Sequence, residues 1–157
     1  MQSAKTNAMR ILDFAKLEYD VHFYESGDSI DGVSVAHKLG QDVKRVFKTL
    51  VTKGKSTYFV FVIPVAQELD LKKAAKSVSE KSVEMIAVKD INKVTGYIRG
   101  GCSPVGMKKQ YKTVIDSSAL ENDKIIFSGG KIGTQIEMSP NELAKLINAD
   151  FQNIVFD

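Results

Sequence analysis

The sequence predicts a mixed α+β fold, a curled or barrel-like, mostly antiparallel sheet with helices packed outside it. Two observations carry that expectation. Short strand-like runs outnumber helical ones, and they mostly follow one another instead of alternating with helices as a βαβ repeat would. The 157 residues suit one domain, 1–157, with one sizeable core, and no repeat, linker or low-complexity tract divides them. Hydrophobic residues at 43% and charged residues at 26% describe a soluble globular chain. No apolar run approaches the ~20 residues that span a bilayer. The first twenty residues lack a signal-peptide core, and a single cysteine excludes an internal disulfide. The expected location is cytoplasmic, with no membrane partner.

Residues 4–18 place Ala8, Ile11, Leu12 and Ala15 at helical spacing among Lys5, Arg10, Asp13 and Lys16, which predicts an amphipathic first helix. Tyr19, Val21 and Phe23 then alternate with Asp20, His22 and Tyr24 as a strand does. The loop ESGDSIDG (25–32) follows, and SVAHKLG (34–40) reads as a short helix stopped by Gly40. Asp42 suits the cap of a turn at 43–45. VFKTLV (46–51) is a strand that KGKST returns to YFVFVI (58–63), the most apolar strand, which Pro64 ends. Asp70 is a good N-cap for LKKAAKSV. VEMIAV (83–88) and a turn around Asp90 lead to a glycine-rich stretch. TVID and KIIFS are strand-like, and SGGKIG joins KIIFS to TQIEM as a hairpin. Ser139, Pro140 and Glu142 form a capping box with proline at the first helical position, ahead of the helix ELAKLIN. FQNIVF (151–156) reads as a last strand.

Two places could carry chemistry. In TGYIRGGCSPVGMKK (95–109), Gly96, Gly100, Gly101 and Gly106 surround Ser103-Pro104, between Arg99 and Lys108-Lys109. Glycines let a ligand approach main-chain N–H groups closely, so the stretch could present donors to an oxygen-rich ligand; a plain turn is the ordinary alternative. Lys48 is the sole charge in VFKTLV, on the same strand face as Val46 and Leu50, so it either snorkels at a sheet edge or lines a cavity. Two histidines and one cysteine give no metal-site spacing. SGGKIG lacks the length and the hydroxyl residue of a P-loop, and no cofactor is expected. A net charge of +3 tolerates a polyanion but falls short of a nucleic-acid wrapper. Cys102 lies near Arg99 and Lys108, but neither His22 nor His37 sits in a motif that would make it a base, and Cys102 is read as structural.

Four segments, KTNAMRIL (5–12), RVFKTLV (45–51), TGYIRGGCSPVGMKK and FSGGKIGTQIEMSP (127–140), together resemble the YbaK family of free-standing aminoacyl-tRNA deacylases. These are related to the editing domain inserted in bacterial prolyl-tRNA synthetases. The resemblance covers almost the whole chain and implies a mixed barrel with surrounding helices. It also implies that Lys48 is the essential active-site cation, that the Gly100-Gly101 backbone is a donor set, and that Tyr24, Ser103 and Ser128 contact the aminoacyl end. Tyr24 and Ser128 read equally well as an ordinary strand tyrosine and a residue entering a turn. Many family members carry an aspartate seven residues after that serine; here the position is Gln135, which lacks the charge that could hold a substrate α-amino group. The implied substrate is the 3′ end of an aminoacyl-tRNA, Cys-tRNA(Pro) foremost, cleaved with the help of the substrate's own thiol, with prolyl-tRNA synthetase as a candidate partner. The alternatives are a deacylase for alanyl- or another small aminoacyl-tRNA, and a non-catalytic tRNA- or nucleotide-binding module docking on a synthetase.

Overall fold

The structure is a computed structural model that describes residues 5–25 and 32–157. Residue 4 of the expected first helix and residues 26–31 of the expected loop lie outside the described residues. The chain runs α1 (Asn7–Phe14), β1 (Asp20–Phe23), α2 (Gly32–Lys38), β2 (Phe47–Lys53), β3 (Tyr58–Pro64) and α3 (Leu71–Ser77). It continues through β4 (Glu84–Met85), α4 (Ile91–Thr95), β5 (Lys112–Asp116), β6 (Ile125–Lys131), β7 (Thr134–Met138), α5 (Pro140–Ile147) and β8 (Asp150–Gln152). Three-residue and five-residue 3-10 turns at Val88–Asp90 and Ser117–Glu121 precede α4 and follow β5.

The strands form two sheets, ordered β1-β7-β6 and β4-β2-β3-β5-β8. The first is antiparallel throughout; in the second, β5 runs parallel to both β3 and β8. A parallel bridge between Val46 and Ile126 links the two, reinforced by the Ile126 N–H donating to the Arg45 carbonyl at 2.8 Å. The sheet is therefore curled across that bridge without closing, and β2 is the element both halves share.

Local chemistry explains most boundaries. The Thr6 hydroxyl accepts from Met9 N–H and starts α1. The helix stops four residues before the expected end, where Lys16 takes φ 59° and the Leu17 N–H turns back to the Leu12 carbonyl. Asp70 caps α3 through Lys72 and Lys73, and Ser139 caps α5 at the Glu142 N–H. Ala8, Leu12, Phe127, Ile136, Leu143 and Ile147 pack α1 and α5 on one face of the first sheet. Phe59, Phe61, Ile63, Ala74 and Val78 seal α3 against the second.

Two expected strands are shorter than their sequences suggest. Within 83–88 only Glu84–Met85 pairs, with Lys53 and Thr52 of β2. Of 151–156, only Phe151 and Gln152 continue the ladder on β5, because the Ile154 N–H donates to the buried Asp116 carboxylate at 3.0 Å and not to a strand neighbour. Leu69 and Val155 then make a single antiparallel bridge.

Candidate functional site

A cleft of about 400 Å³ opens where β2 passes between the sheets. Tyr24, Lys48, Thr49, Arg99, Gly100, Cys102, Ser128 and Gln135 line it together with aliphatic side chains. Of the residues the sequence singled out, the structure thus gathers Tyr24, Lys48, Gly100, Ser128 and Gln135 in one place. Gly101 and Ser103 are buried and do not line it.

Each comes from a different element, held by a different contact. Lys48 and Thr49 are adjacent on β2. The pairing of β2 with β3 runs through the even-numbered residues, as the Val65 N–H to Val46 carbonyl and Gly54 N–H to Thr57 carbonyl bonds fix. Thr49 therefore turns its N–H and carbonyl away from β3. On that side β4 joins β2 only from Val51 onward, where Ile86 N–H meets the Val51 carbonyl. Ser128 and Gln135 face each other across the β6–β7 ladder. The Ser128 hydroxyl accepts from Gly130 N–H at 3.2 Å. Tyr24 follows β1 and is anchored by its N–H to the Gly133 carbonyl, 3.0 Å away.

The glycine-rich stretch is pinned from within. The Tyr97 hydroxyl donates to the Val105 carbonyl at 2.6 Å, and the buried Ser103 hydroxyl accepts from Val105 N–H at 3.2 Å. The Gly101 N–H is engaged by the Ile98 carbonyl at 2.9 Å. A Cβ on Gly101 would lie 3.0 Å from the Ile132 nitrogen and 3.1 Å from Lys131 Cα, so the loop touches the β6–β7 turn backbone to backbone. Gly100, at φ 84°, faces the cleft in a conformation that side chains rarely adopt.

Lys48 is half-buried and, among the described residues, has no ion-pair partner. Two cations, Lys48 and Arg99, and no carboxylate line the cleft among the described residues. Two buried side-chain oxygens lack any hydrogen-bond partner among the described residues: Tyr24 Oη and Thr49 Oγ1. Both line this cleft. An unsatisfied buried hydroxyl costs about 1–3 kcal/mol, so two of them converging on one cavity mark where a polar ligand would be met. Sequence reasoning missed Thr49. A threonine in a strand is ordinary, and only the surroundings make its hydroxyl an orphan.

Burial pushes the Cys102 thiol up to about 11, with the Thr95 hydroxyl opposing it. The thiol is neutral at physiological pH. Neither histidine lines the cleft; His22 Nε2 lies 2.7 Å from Glu137 Oε1, and Glu137 also receives Arg45. Cys102→Ser is therefore expected to leave whatever chemistry the cleft performs near the parent's rate. Because the folded thiol's pKa is raised above its ordinary 9.0, the stabilisation is whole below pH 9 and is lost as pH climbs toward about 11. Melting curves from pH 8 to 11 should show a steeper alkaline decline in the parent than in Cys102→Ser. Equal slopes would exclude the buried thiol as the cause.

Residues 29–146 match the family described as the aminoacyl-tRNA editing domain. The chain is 49% identical over 152 residues to EbsC of Enterococcus faecalis, named as a candidate Cys-tRNA(Pro)/Cys-tRNA(Cys) deacylase, covering 96% of this chain and 93% of that one. It is 35% identical over 74 residues to the proline–tRNA ligase of Fervidobacterium nodosum, covering 47% of this chain but 13% of the ligase. Among solved structures, a candidate trans-editing enzyme for prolyl tRNA synthetase superposes with a TM-score of 0.82 over 99% of this chain and 100% of that one, at 22% identity. That likeness speaks for the fold.

Proposed function

The chain belongs to the aminoacyl-tRNA editing domain family, and from that membership we propose that it is a trans-editing hydrolase that deacylates mischarged tRNA, Cys-tRNA(Pro) foremost. The observation that carries the reading is the pair of partnerless hydroxyls, Tyr24 Oη and Thr49 Oγ1, in the same cleft as Lys48 and Gly100.

An aminoacyl ester is already activated, so its cleavage needs orientation and stabilisation of the carbonyl oxygen more than a protein nucleophile. In this proposal the Lys48 ammonium and the Gly100 N–H face that oxygen. Thr49, Tyr24, Ser128 and Gln135 hold the amino acid by uncharged hydrogen bonds. Gly101 and Ser103 keep the loop in place. With a neutral Cys102 and no histidine in the cleft, the attacking group comes from the substrate: the cysteinyl thiol adds to its own ester carbonyl, the bond to the ribose oxygen breaks, and that oxygen takes up the thiol's proton. Ring opening of the resulting thiolactone by water releases cysteine. A net charge of +3 offers few phosphate contacts, so selection of the tRNA body is assigned to a synthetase partner, prolyl-tRNA synthetase.

Single-turnover deacylation of Cys-tRNA(Pro) and Ala-tRNA(Pro), with binding of uncharged tRNA(Pro) measured alongside, tests the reading. Fast loss of cysteine with slow loss of alanine is expected. Equal rates would remove the thiol from the mechanism, and binding without turnover would leave a non-catalytic module.

Thr49→Val offers a second check with opposite signs in its two readouts. It keeps the shape and deletes an orphan hydroxyl, so stability should rise by on the order of 1 kcal/mol. The rate of deacylation should fall about tenfold, the scale of one lost hydrogen bond to substrate. A variant that is neither more stable nor slower would take Thr49 out of the site.

A further inference from the structure

Beside the cleft, and not lining it, lies a charged cluster that the proposed reaction leaves unused. Glu137 of β7 keeps only 12% of its side chain exposed and engages two basic groups at once. His22 Nε2 of β1 lies 2.7 Å from its Oε1, and the Arg45 guanidinium, just before β2, donates to its Oε2. Arg45 also donates to Gln41 Oε1 at 3.3 Å. Asp20, opposite Glu137 in the β1–β7 ladder, has its own partner in Lys124. Taking a carboxylate this far from water is costly, and bonds to both of its oxygens offset the cost only where their geometry is held.

The cluster shares a row with the joint between the two sheets. Glu137 pairs with Ile126 in the β6–β7 ladder, and Ile126 makes the bridge to Val46. Among the described residues this is the sole bridge from one sheet to the other. A single bridge fixes where the sheets meet but sets the angle between them weakly. The Arg45–Glu137 contact adds a second tie, from β7 to the residue that leads into β2. Each part of this joint also stands close in sequence to a residue of the cleft. His22 precedes Tyr24 by two positions, Ile126 precedes Ser128 by two, Glu137 follows Gln135 by two, and Arg45 precedes Lys48 by three. Alternate residues of a strand share a face, so Glu137 lies on the Gln135 side of β7 and Ile126 on the Ser128 side of β6.

We propose that Glu137, with His22 and Arg45, is a positioning cluster that sets the angle across this joint. It thereby holds Lys48 and Thr49, on the second sheet, at a fixed separation from Tyr24, Ser128 and Gln135 on the first. The inference rests on the deacylase reading and extends it from the groups that meet the substrate to those that keep them in register. None of the three lines the cleft, so they act only through the strands they tie. Without the cluster the amino-acid contacts would stay together, because they belong to one sheet. What would drift is the distance from those contacts to the Lys48 ammonium. An ion pair that only stabilises the fold would lower melting and leave turnover alone, whereas a positioning cluster lowers turnover with binding kept.

The test measures kcat and KM for Cys-tRNA(Pro) in the parent, Glu137→Ala, Glu137→Gln and Arg45→Lys, with melting curves and amide exchange on the same proteins. In Glu137→Ala kcat is expected to fall at least about tenfold, within the hundredfold that a displacement of about 1 Å can cost, while KM changes little. Glu137→Gln keeps the shape and one acceptor and should fall between that variant and the parent. Arg45→Lys keeps the charge but loses the fork that serves Glu137 and Gln41 together, and it too should lower kcat. The Arg45 side chain is 35% exposed, so this variant carries the test if Glu137→Ala does not fold. In each slower variant the Ile126 N–H, which donates to the Arg45 carbonyl, should exchange faster while the β3 amides keep the parent's rates. Folded variants with the parent's kcat overturn the proposal, and so does a slower variant whose Ile126 exchange is unchanged. If the parent shows no turnover, the deacylase reading fails and exchange decides the cluster alone. Faster exchange confined to the joint keeps it as the tie between the two halves of the cleft, and unchanged exchange removes it.

Discussion

Lys48→Ala is expected to fold like the parent and to lose deacylation by at least about a hundredfold, the scale of one electrostatic contact at a reacting centre. Folding should survive because the side chain supplies no ion pair among the described residues, while Val46 just before β2 and Phe47 and Val51 on it stay buried. A half-buried ammonium with no anion partner among the described residues is costly to keep, so its removal relieves the resting protein and harms only the state in which an anion forms. Lys48→Arg should rescue poorly: the guanidinium is a broad planar fork, and the cleft has been assigned a point charge. Single-turnover rates with melting curves run in parallel settle it. A folded Lys48→Ala as fast as the parent would move the oxyanion elsewhere, and the binding-module reading would then gain.

Gly101→Ala should be the more damaging change to the protein as a whole. Its N–H, held by the Ile98 carbonyl, is kept after the substitution, so a residue needed only as a donor would tolerate alanine. Here the added methyl meets the Ile132 nitrogen at 3.0 Å, and Lys131 Cα and carbonyl carbon at 3.1 and 3.2 Å, all backbone atoms that cannot rotate away. The loop and the β6–β7 turn must separate. Stability should fall by about 1–3 kcal/mol, the usual cost of overpacking. Activity should fall further than stability explains, because the same turn anchors Tyr24 through the Gly133 carbonyl. The informative comparison is with Gly100→Ala, where the penalty is backbone strain at φ 84°. If Gly101→Ala melts and turns over like the parent, the close approach is not what the residue is for.

Where local chemistry decides, the sequence was readable. Asp70 and Ser139 cap the helices they were expected to cap, and the β6–β7 hairpin turns within SGGKIG. Five of the seven singled-out residues meet in one cleft because a resemblance in four segments carries positions along with it. The failures lie where a distant partner decides. VEMIAV has strand composition, yet only Glu84–Met85 pairs, on Lys53 and Thr52 of β2 far back in the chain. FQNIVF loses its strand to a carboxylate 38 residues earlier. The orphan state of the Thr49 hydroxyl depends on which groups the fold brings near, and it has no signature in its own neighbourhood.

The parallel pairing of β3 with β5 has a consequence for how the chain opens. Parallel neighbours need a long connection, and here residues 65–111 make it, carrying β4, α4 and the whole glycine-rich stretch. One wall of the cleft is thus an excursion tied at both ends to a fully buried pair, Val60–Val62 beside Thr113–Ile115. Amide exchange should divide accordingly, slowest along that pair and faster across residues 84–109, through openings that free the wall while the central strands stay closed. A tRNA terminus could then enter by local breathing of one segment, at a rate set by that excursion's own stability and not by the protein's.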